Sequence, residues 1–310
     1  MSMELETLLK LLVFPGGLTL IALGLLYEYI DRKLVARFQN RVGPRLIQPL
    51  ADLVKLLAKE EVVPAGVIPL FFVSLPILAL AGGLTAALYI PLAGIAPSFS
   101  LPGDLIIVIF LLGLLTMAVG LAGANTADRF SILGATRTLT QLFSYEAPFL
   151  LALLCPAILA DSWQISVVHD SLIGQIWFAA LPLWIGFPVA IIGLMGKLEM
   201  APFDAPEAES EIVAGALTEY SGRGLALFRL AKDVELVVGL TLVSAFYLGG
   251  LANPLEFLLK TLGLLVVVAA LQALFARLRI DQTVGLWWRI GALLALLQLV
   301  IVVILKGVIL

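Results

Sequence analysis

Eight long apolar stretches, separated by short polar segments, organise this chain of 310 residues. They run over 11–30, 66–91, 104–124, 141–160, 176–196, 234–252, 255–276 and 286–308. Each comes close to the roughly 20 apolar residues that a helix needs to cross a bilayer core. None alternates polar and apolar positions in the segments of about 10 residues that mark a transmembrane β-barrel. The pattern therefore predicts an all-α integral membrane protein with about eight transmembrane helices, folded as a single domain over 1–310. No internal repeat splits the chain into related halves, unlike many secondary transporters. One shorter segment has its own period. Over 46–61, Leu50, Leu53, Val54 and Leu57 separate at helical spacing from Asp52, Lys55, Lys59 and Glu60, which predicts an amphipathic helix on the membrane surface. That helix reads equally as an anchor with a solvated face and as a docking element for a partner.

Composition sharpens the class. With 61% hydrophobic and 13% charged residues, the chain lies far from the roughly 25% charge of an ordinary soluble domain. The first six residues are acidic rather than basic, so no cleavable signal is expected. Basic residues fix the topology, because Lys and Arg gather in short cytoplasmic loops. Sixteen of the 19 lie in loops 31–65, 125–140, 197–233 and 277–289, while loops 92–103, 161–175 and 253–254 carry none. Both termini are expected outside a prokaryotic plasma membrane, with the four charged loops in the cytoplasm. A formal net charge of -3 gives no electrostatic footprint for nucleic acid. The lone Cys155 and lone His169 are too few for an iron-sulfur cluster or a structural zinc. No metal site is expected, and any redox cofactor belongs to partner subunits. Cys155, beside Pro156, and His169, in an outward loop, read as inert.

The chemistry concentrates in carboxylates. Glu199, Asp204, Glu207, Glu209, Glu211 and Glu219 fall within one loop beside apolar segments. Pro206 is placed to begin a short helix, with acids in its first turn favoured by the dipole. Glu207 and Glu211 would then share a face, repel, and hold a proton in a poorly hydrated site. The loop reads either as that proton store or as a solvated acidic surface. Glu146 is expected inside the fourth span, where an ionisable side chain costs about 2.5–3.5 kcal/mol and so faces protein or water. Arg137 lies nine residues earlier and is a candidate counter-charge, although a topology-setting arginine is the simpler reading. Asp281 is an unexpected acid among the basic residues of its loop. Arg37, Arg41 and Arg45 recur every four residues, although Gly43-Pro44 must break any helix carrying them.

Several motifs resemble subunit 1 of respiratory complex I, the family of the NADH-quinone oxidoreductase H subunit. They are Phe38-Gln-Asn-Arg-Val-Gly-Pro44, Ala51-Asp-Leu-Val-Lys55, Ser144-Tyr-Glu146, Pro202-Phe-Asp-Ala-Pro-Glu-Ala-Glu-Ser-Glu-Ile-Val-Ala-Gly215 and Thr218-Glu-Tyr-Ser-Gly222. In order, they cover 30–282. Gly43-Pro44-Arg45 runs almost directly into Gln48-Pro49, and the approach to the long motif reads Gly196-Lys-Leu-Glu-Met-Ala201. Both departures look like the membrane-bound nickel-iron hydrogenases and the archaeal sulfane sulfur reductase within the wider family.

The resemblance implies an eight-helix subunit that is not catalytic by itself and couples electron transfer to H⁺ or Na⁺ translocation. Glu146, Asp204, Glu207, Glu209, Glu211 and Glu219, with Arg137 and Asp281, become candidate ion-coupling residues. Arg37, Arg41, Arg45, Asp52 and Lys55 become candidates for docking the peripheral arm. The implied partners are hydrogenase-like large and small subunits, an iron-sulfur subunit and antiporter-like membrane subunits. Iron-sulfur clusters and a nickel-iron centre would reside in those partners. A quinone-site subunit is the alternative, and a stand-alone ion transporter the remote one.

Overall fold

The computed structural model describes residues 12–13, 16–173 and 181–309. The described chain is helical, with one isolated β-bridge between Leu92 and Ile95. The helices are α1 (Gly17–Phe38), α2 (Gln48–Ala58), α3 (Pro69–Ala87), α4 (Asp104–Ala124), α5 (Arg129–Leu159), α6 (Ile165–Leu172), α7 (Leu181–Lys197), α8 (Glu209–Ile212), α9 (Gly222–Tyr247), α10 (Pro254–Leu274), α11 (Ile280–Leu286) and α12 (Ala292–Ile309). A π-helical turn, Trp287–Gly291, joins the last two.

Each of the eight apolar stretches overlaps a long helix, but hydropathy and helix length part company. Among the described residues, five helical stretches are both long and apolar enough to cross a membrane: α3, α4, α5, α10 and the run Ile280–Gly307. The multi-pass membrane assignment rests on these. In α7 the apolar part, Leu183–Lys197, is shorter, and the beginning of the expected span 176–196 lies outside the described residues. Charges interrupt the other two. α1 carries Glu28, Asp31, Arg32, Lys33 and Arg37, and α9 carries Arg223, Arg229, Lys232, Asp233 and Glu235. For α9 the reason is burial inside protein: its Leu236 through Tyr247 are all buried. A helix surrounded by helices meets little lipid and tolerates charge where partners wait. The lipid-type surface lies elsewhere, in exposed apolar side chains such as Leu70 and Ile77 of α3, Phe110 of α4, Leu259 of α10 and Leu293 of α12.

Two local expectations are corrected. α5 begins at Arg129, twelve residues before the expected 141, because Asp128 caps it by accepting a hydrogen bond from the Ser131 amide at 2.9 Å. In line with the expected break before Gly43-Pro44, α1 ends at Phe38, so Arg37 is helical while Arg41 and Arg45 follow in loop, and no common helical stripe forms. The amphipathic helix is present as α2, trimmed to 48–58, with Pro49 in its first turn. Its Leu50, Val54 and Leu57 are exposed along one face. His169 is structural rather than inert. Its Nε2 accepts from the Leu251 amide at 2.7 Å, and Nδ1 lies 2.9 Å from Asp170 Oδ1, stapling α6 to the segment before α10. Cys155 is a buried free thiol.

Candidate functional site

The loop 198–221 folds back against α5 and α9 at the charged end of the bundle, and its path is set by close backbone contact. At Gly215, φ is +56°, and a Cβ there would meet Pro206 O at 2.0 Å. Gly134 of α5 lets the same stretch of loop approach, since a Cβ would lie 2.2 Å from Ala216 N. Gln141 completes the clamp, its Nε2 donating to Gly196 O and Phe203 O, both at 2.8 Å. Tyr220 is stacked on Phe72 at 4.2 Å between ring centres, and burial pushes its phenol pKa up.

Held this way, the loop acids meet cations from distant parts of the chain. Glu207 Oε1 accepts from Lys232 Nζ of α9 at 3.0 Å. Glu211 pairs with Arg137 of α5 at 2.8 Å, and the same guanidinium donates to Ala205 O. Asp204 accepts from Arg277, an interaction that holds the guanidinium still more firmly charged. Glu209 is exposed, and Glu219 is half-buried. The expected helix from Pro206 is corrected to the single turn Glu209–Ile212, so Glu207 lies outside it. Glu207 and Glu211 are drawn to opposite partners and do not form a like-charge pair on one helical face. Arg137 likewise does not neutralise Glu146. Nine residues of one continuous helix make two and a half turns at about 3.6 residues per turn, which sets the two side chains on opposite faces.

Deeper in the bundle lies a second tier. Lys197, at the end of α7, sits 3.6 Å from Glu235 of α9, and their side chains are 1% and 2% exposed. The Lys197 ammonium also lies 5.8 Å from the centre of the Tyr145 ring, whose hydroxyl meets Thr116 Oγ1 at 3.2 Å. Glu146 reaches toward α4, where a Cβ on Gly113 would touch its Oε1 at 3.7 Å; its Oε2 is buried without a protein partner. Between the tiers the chain reverses at Glu199, held at φ +50°. Burial first, and the Glu207 charge second, raise its pKa to about 7, with Lys232 opposing. On the far side of α9, Asp233 faces Glu28 of α1. Glu28 pairs with Arg32, which lies 3.6 Å from Asp52 of α2, and Asp31 accepts from Gln272 at 3.0 Å.

Of the expected ion-coupling residues, then, the structure gathers Glu146, Asp204, Glu207, Glu211 and Arg137 around one end of α5, α7 and α9. Asp281 is exposed and lines an open cavity of about 820 Å³ with Gln39, Arg137, Asp204, Glu211 and Arg277. Among the docking candidates, Arg37, Arg41, Arg45 and Lys55 are exposed, and Asp52 is tied to Gln48 and Arg32. Sequence reasoning passed over Lys197, Lys232 and Glu235. For Lys232 and Glu235 the available signal was the charged Lys-Asp-Val-Glu run of 232–235 abutting an apolar stretch. The described residues hold no group of three His, Cys, Asp or Glu placed for a metal ion.

A bundle of long apolar helices around one charged core, with acids leading from an exposed polar loop through buried Glu199 to buried Glu235, defines a membrane-embedded protein with ionisable groups in its interior. The chain matches the NADH dehydrogenase family over residues 9–303, and it belongs to that family. It is 33% identical over 312 residues to the H subunit of NADH-quinone oxidoreductase from Thermomicrobium roseum, covering 90% of this chain and 91% of that protein. It is 34% identical over 312 residues to the H 2 subunit of the same enzyme from Geobacter sulfurreducens, covering 94% and 93%. Its fold is similar to a chain in the structure of the membrane-bound sulfane sulfur reductase, an archaeal respiratory membrane complex. There the TM-score is 0.84 at 24% identity, with 96% of this chain and 99% of that one covered.

Proposed function

We propose that this protein is the membrane-anchor and ion-coupling subunit of a redox complex related to complex I, of the membrane-bound hydrogenase or sulfane sulfur reductase type. The observation that carries the reading is the two-tier row of acids. Glu207, Glu211 and Asp204 sit at the charged rim, Glu199 lies between, and Glu235 and Glu146 stand deep in the bundle, interleaved with Lys232 and Lys197. The exposed basic segment from Arg37 at the end of α1 to Arg41 and Arg45 in the following loop docks the peripheral arm, and the charged loops face the cytoplasm. Iron-sulfur clusters and a nickel-iron centre reside in partner subunits. A charge change at the peripheral redox site shifts proton occupancy along the row, and this biases adjacent antiporter-like subunits.

The names of the 33–34% identical relatives favour a second reading, a quinone-site subunit. Against it stands the rim cavity, whose lining includes Arg137, Arg277, Arg279, Asp204, Glu211 and Asp281; a long apolar tail would need a greasier path. Purification of the intact complex in mild detergent, with metal and quinone analysis, separates the two. Nickel with iron, or iron alone with sulfane sulfur reductase activity, supports the first reading. Bound quinone supports the second. Recovery of the chain without redox partners would overturn both.

A further inference from the structure

At the end of the bundle opposite the charged loops, the short helix α6 is tied down twice. Asp104 Oδ1 of α4 accepts from the Ile165 amide at 2.6 Å, and His169 Nε2 accepts from the Leu251 amide at 2.7 Å. The second tie works in one protonation state only. An amide N–H donates, so Nε2 must present a lone pair. The Asp170 carboxylate, 2.9 Å from Nδ1, accepts, so the single ring proton sits on Nδ1. A second proton would land on Nε2 and set two N–H groups against each other. Leu251 is 1% exposed, so its amide would be left without an acceptor where solvent does not reach.

We propose that His169 is an acid-released latch on the outer face, where a proton taken up by the ring frees the 248–253 link and with it the outer ends of α9 and α10. The inference rests on the orientation read above, with the charged loops in the cytoplasm, and it concerns the helix that carries Lys232 and Glu235 at its other end. Histidine is the side chain whose charge changes between about pH 5 and 8. The ring bears directly on the link backbone: Gly249 and Gly250 turn at φ +76° and +73°, and a Cβ on Gly250 would stand 3.5 Å from Nε2 and 2.6 Å from Ile173 Cγ1. The described charged groups around the ring are Asp170 on α6 and, on α10, Lys260 with Glu256. Lys260 donates to Gly250 O at 2.8 Å and to Glu256 at 3.0 Å. α9 presents no charged side chain from Leu236 to Tyr247, and the Tyr247 hydroxyl is turned to Ala152 O. Beyond the end of α5, Asp161 is paired with Lys306 of α12, and Asp104 holds the far end of α6. Asp170 attracts a ring proton, but its side chain is 73% exposed, so water screens that attraction, whereas the Leu251 bond lost in exchange is sealed from water.

Hydrogen exchange of the intact purified complex, resolved at the Leu251 amide and corrected for the intrinsic rate at each pH, tests the latch. From about pH 7.5 to about pH 5.5, across the range where histidine changes charge, the parent amide should lose protection about tenfold beyond any loss in His169→Gln, the order expected for one buried amide left without an acceptor. Glutamine offers an oxygen acceptor at similar reach and does not titrate. Equal pH dependence in the two proteins would overturn the proposal. Should His169→Gln fail to assemble, the parent decides alone. Protection that falls at Leu251 while the α9 amides of 236–243 keep theirs supports the latch; a fall shared equally by both, or no fall at Leu251, overturns it. Labelling of Val167→Cys, at an exposed position of α6, by an impermeant maleimide in sealed vesicles of known orientation separates the latch from the reading on which it rests. Reaction from the outer side supports sensing of outer acid. Reaction from the cytoplasmic side would overturn the outer location and the orientation together, while the exchange result would stand.

Discussion

Replacing Lys197 with Met removes an ammonium that stands 3.6 Å from Glu235 in a place where both side chains are 1–2% exposed. Methionine keeps the length and apolar stem, so packing changes little and the perturbation is electrostatic. The stranded Glu235 carboxylate then has neither solvent nor counter-charge. Breaking a buried pair from one side costs about 3–5 kcal/mol, whereas replacing both partners with neutral side chains is often neutral or better. Lys197→Met should therefore lower the melting temperature of the detergent-purified complex by about 6–10 °C, taking about 2 °C per kcal/mol as the low end suited to a large chain. Lys197→Met combined with Glu235→Gln should recover most of the loss. The assay is a thermal melt of all four members of the cycle at neutral pH, read by complex dissociation. A single variant within about 1 kcal/mol of the parent, or a double variant no better than the single, would refute the claim that these two charges depend on each other.

Glu199 gives a pH test with a definite sign. Its pKa is raised from 4.5 to about 7, so its contribution to stability is fully present below pH 4.5 and is lost as pH rises through 7. Stability, read from thermal melts, should fall between pH 5 and pH 8 more steeply in the parent than in Glu199→Gln, by up to about 3 kcal/mol at 1.36 kcal/mol per unit; parallel profiles would refute it. Gly134→Ala should destabilise by about 1–3 kcal/mol through overpacking, because its Cβ would meet loop backbone at 2.2 Å. Limited proteolysis within the loop 198–221 should rise with that change, and an unaltered digestion pattern would show that the contact does not hold the loop.

Helix placement was legible because apolar runs of near-membrane length leave few alternatives, and the amphipathic period of 48–58 was equally plain. The motif loop was legible as a concentration of acid. Its wiring was not. Glu207 meets Lys232, Asp204 meets Arg277 and Lys197 meets Glu235 across long stretches of chain, and no local period encodes such pairs. Arg137 and Glu146 illustrate a different failure. Taking the helix to begin at 141 left their relative direction undefined, whereas the Asp128 cap makes one helix of both and puts them on opposite faces. The charges at 232–235 went unread because hydropathy assumes lipid outside each helix; α9 is buried among protein, where Glu235 finds its lysine.

The ratio of ions moved to electrons transferred, measured in liposomes holding the intact complex with either parental chain or Glu146→Gln, tests the coupling account most directly. Glu146 carries a buried, unpartnered carboxylate oxygen in the deep tier, and glutamine keeps its shape while removing its proton chemistry. The account predicts that the variant assembles and transfers electrons while the ratio falls severalfold. An unchanged ratio in a fully assembled variant would contradict it.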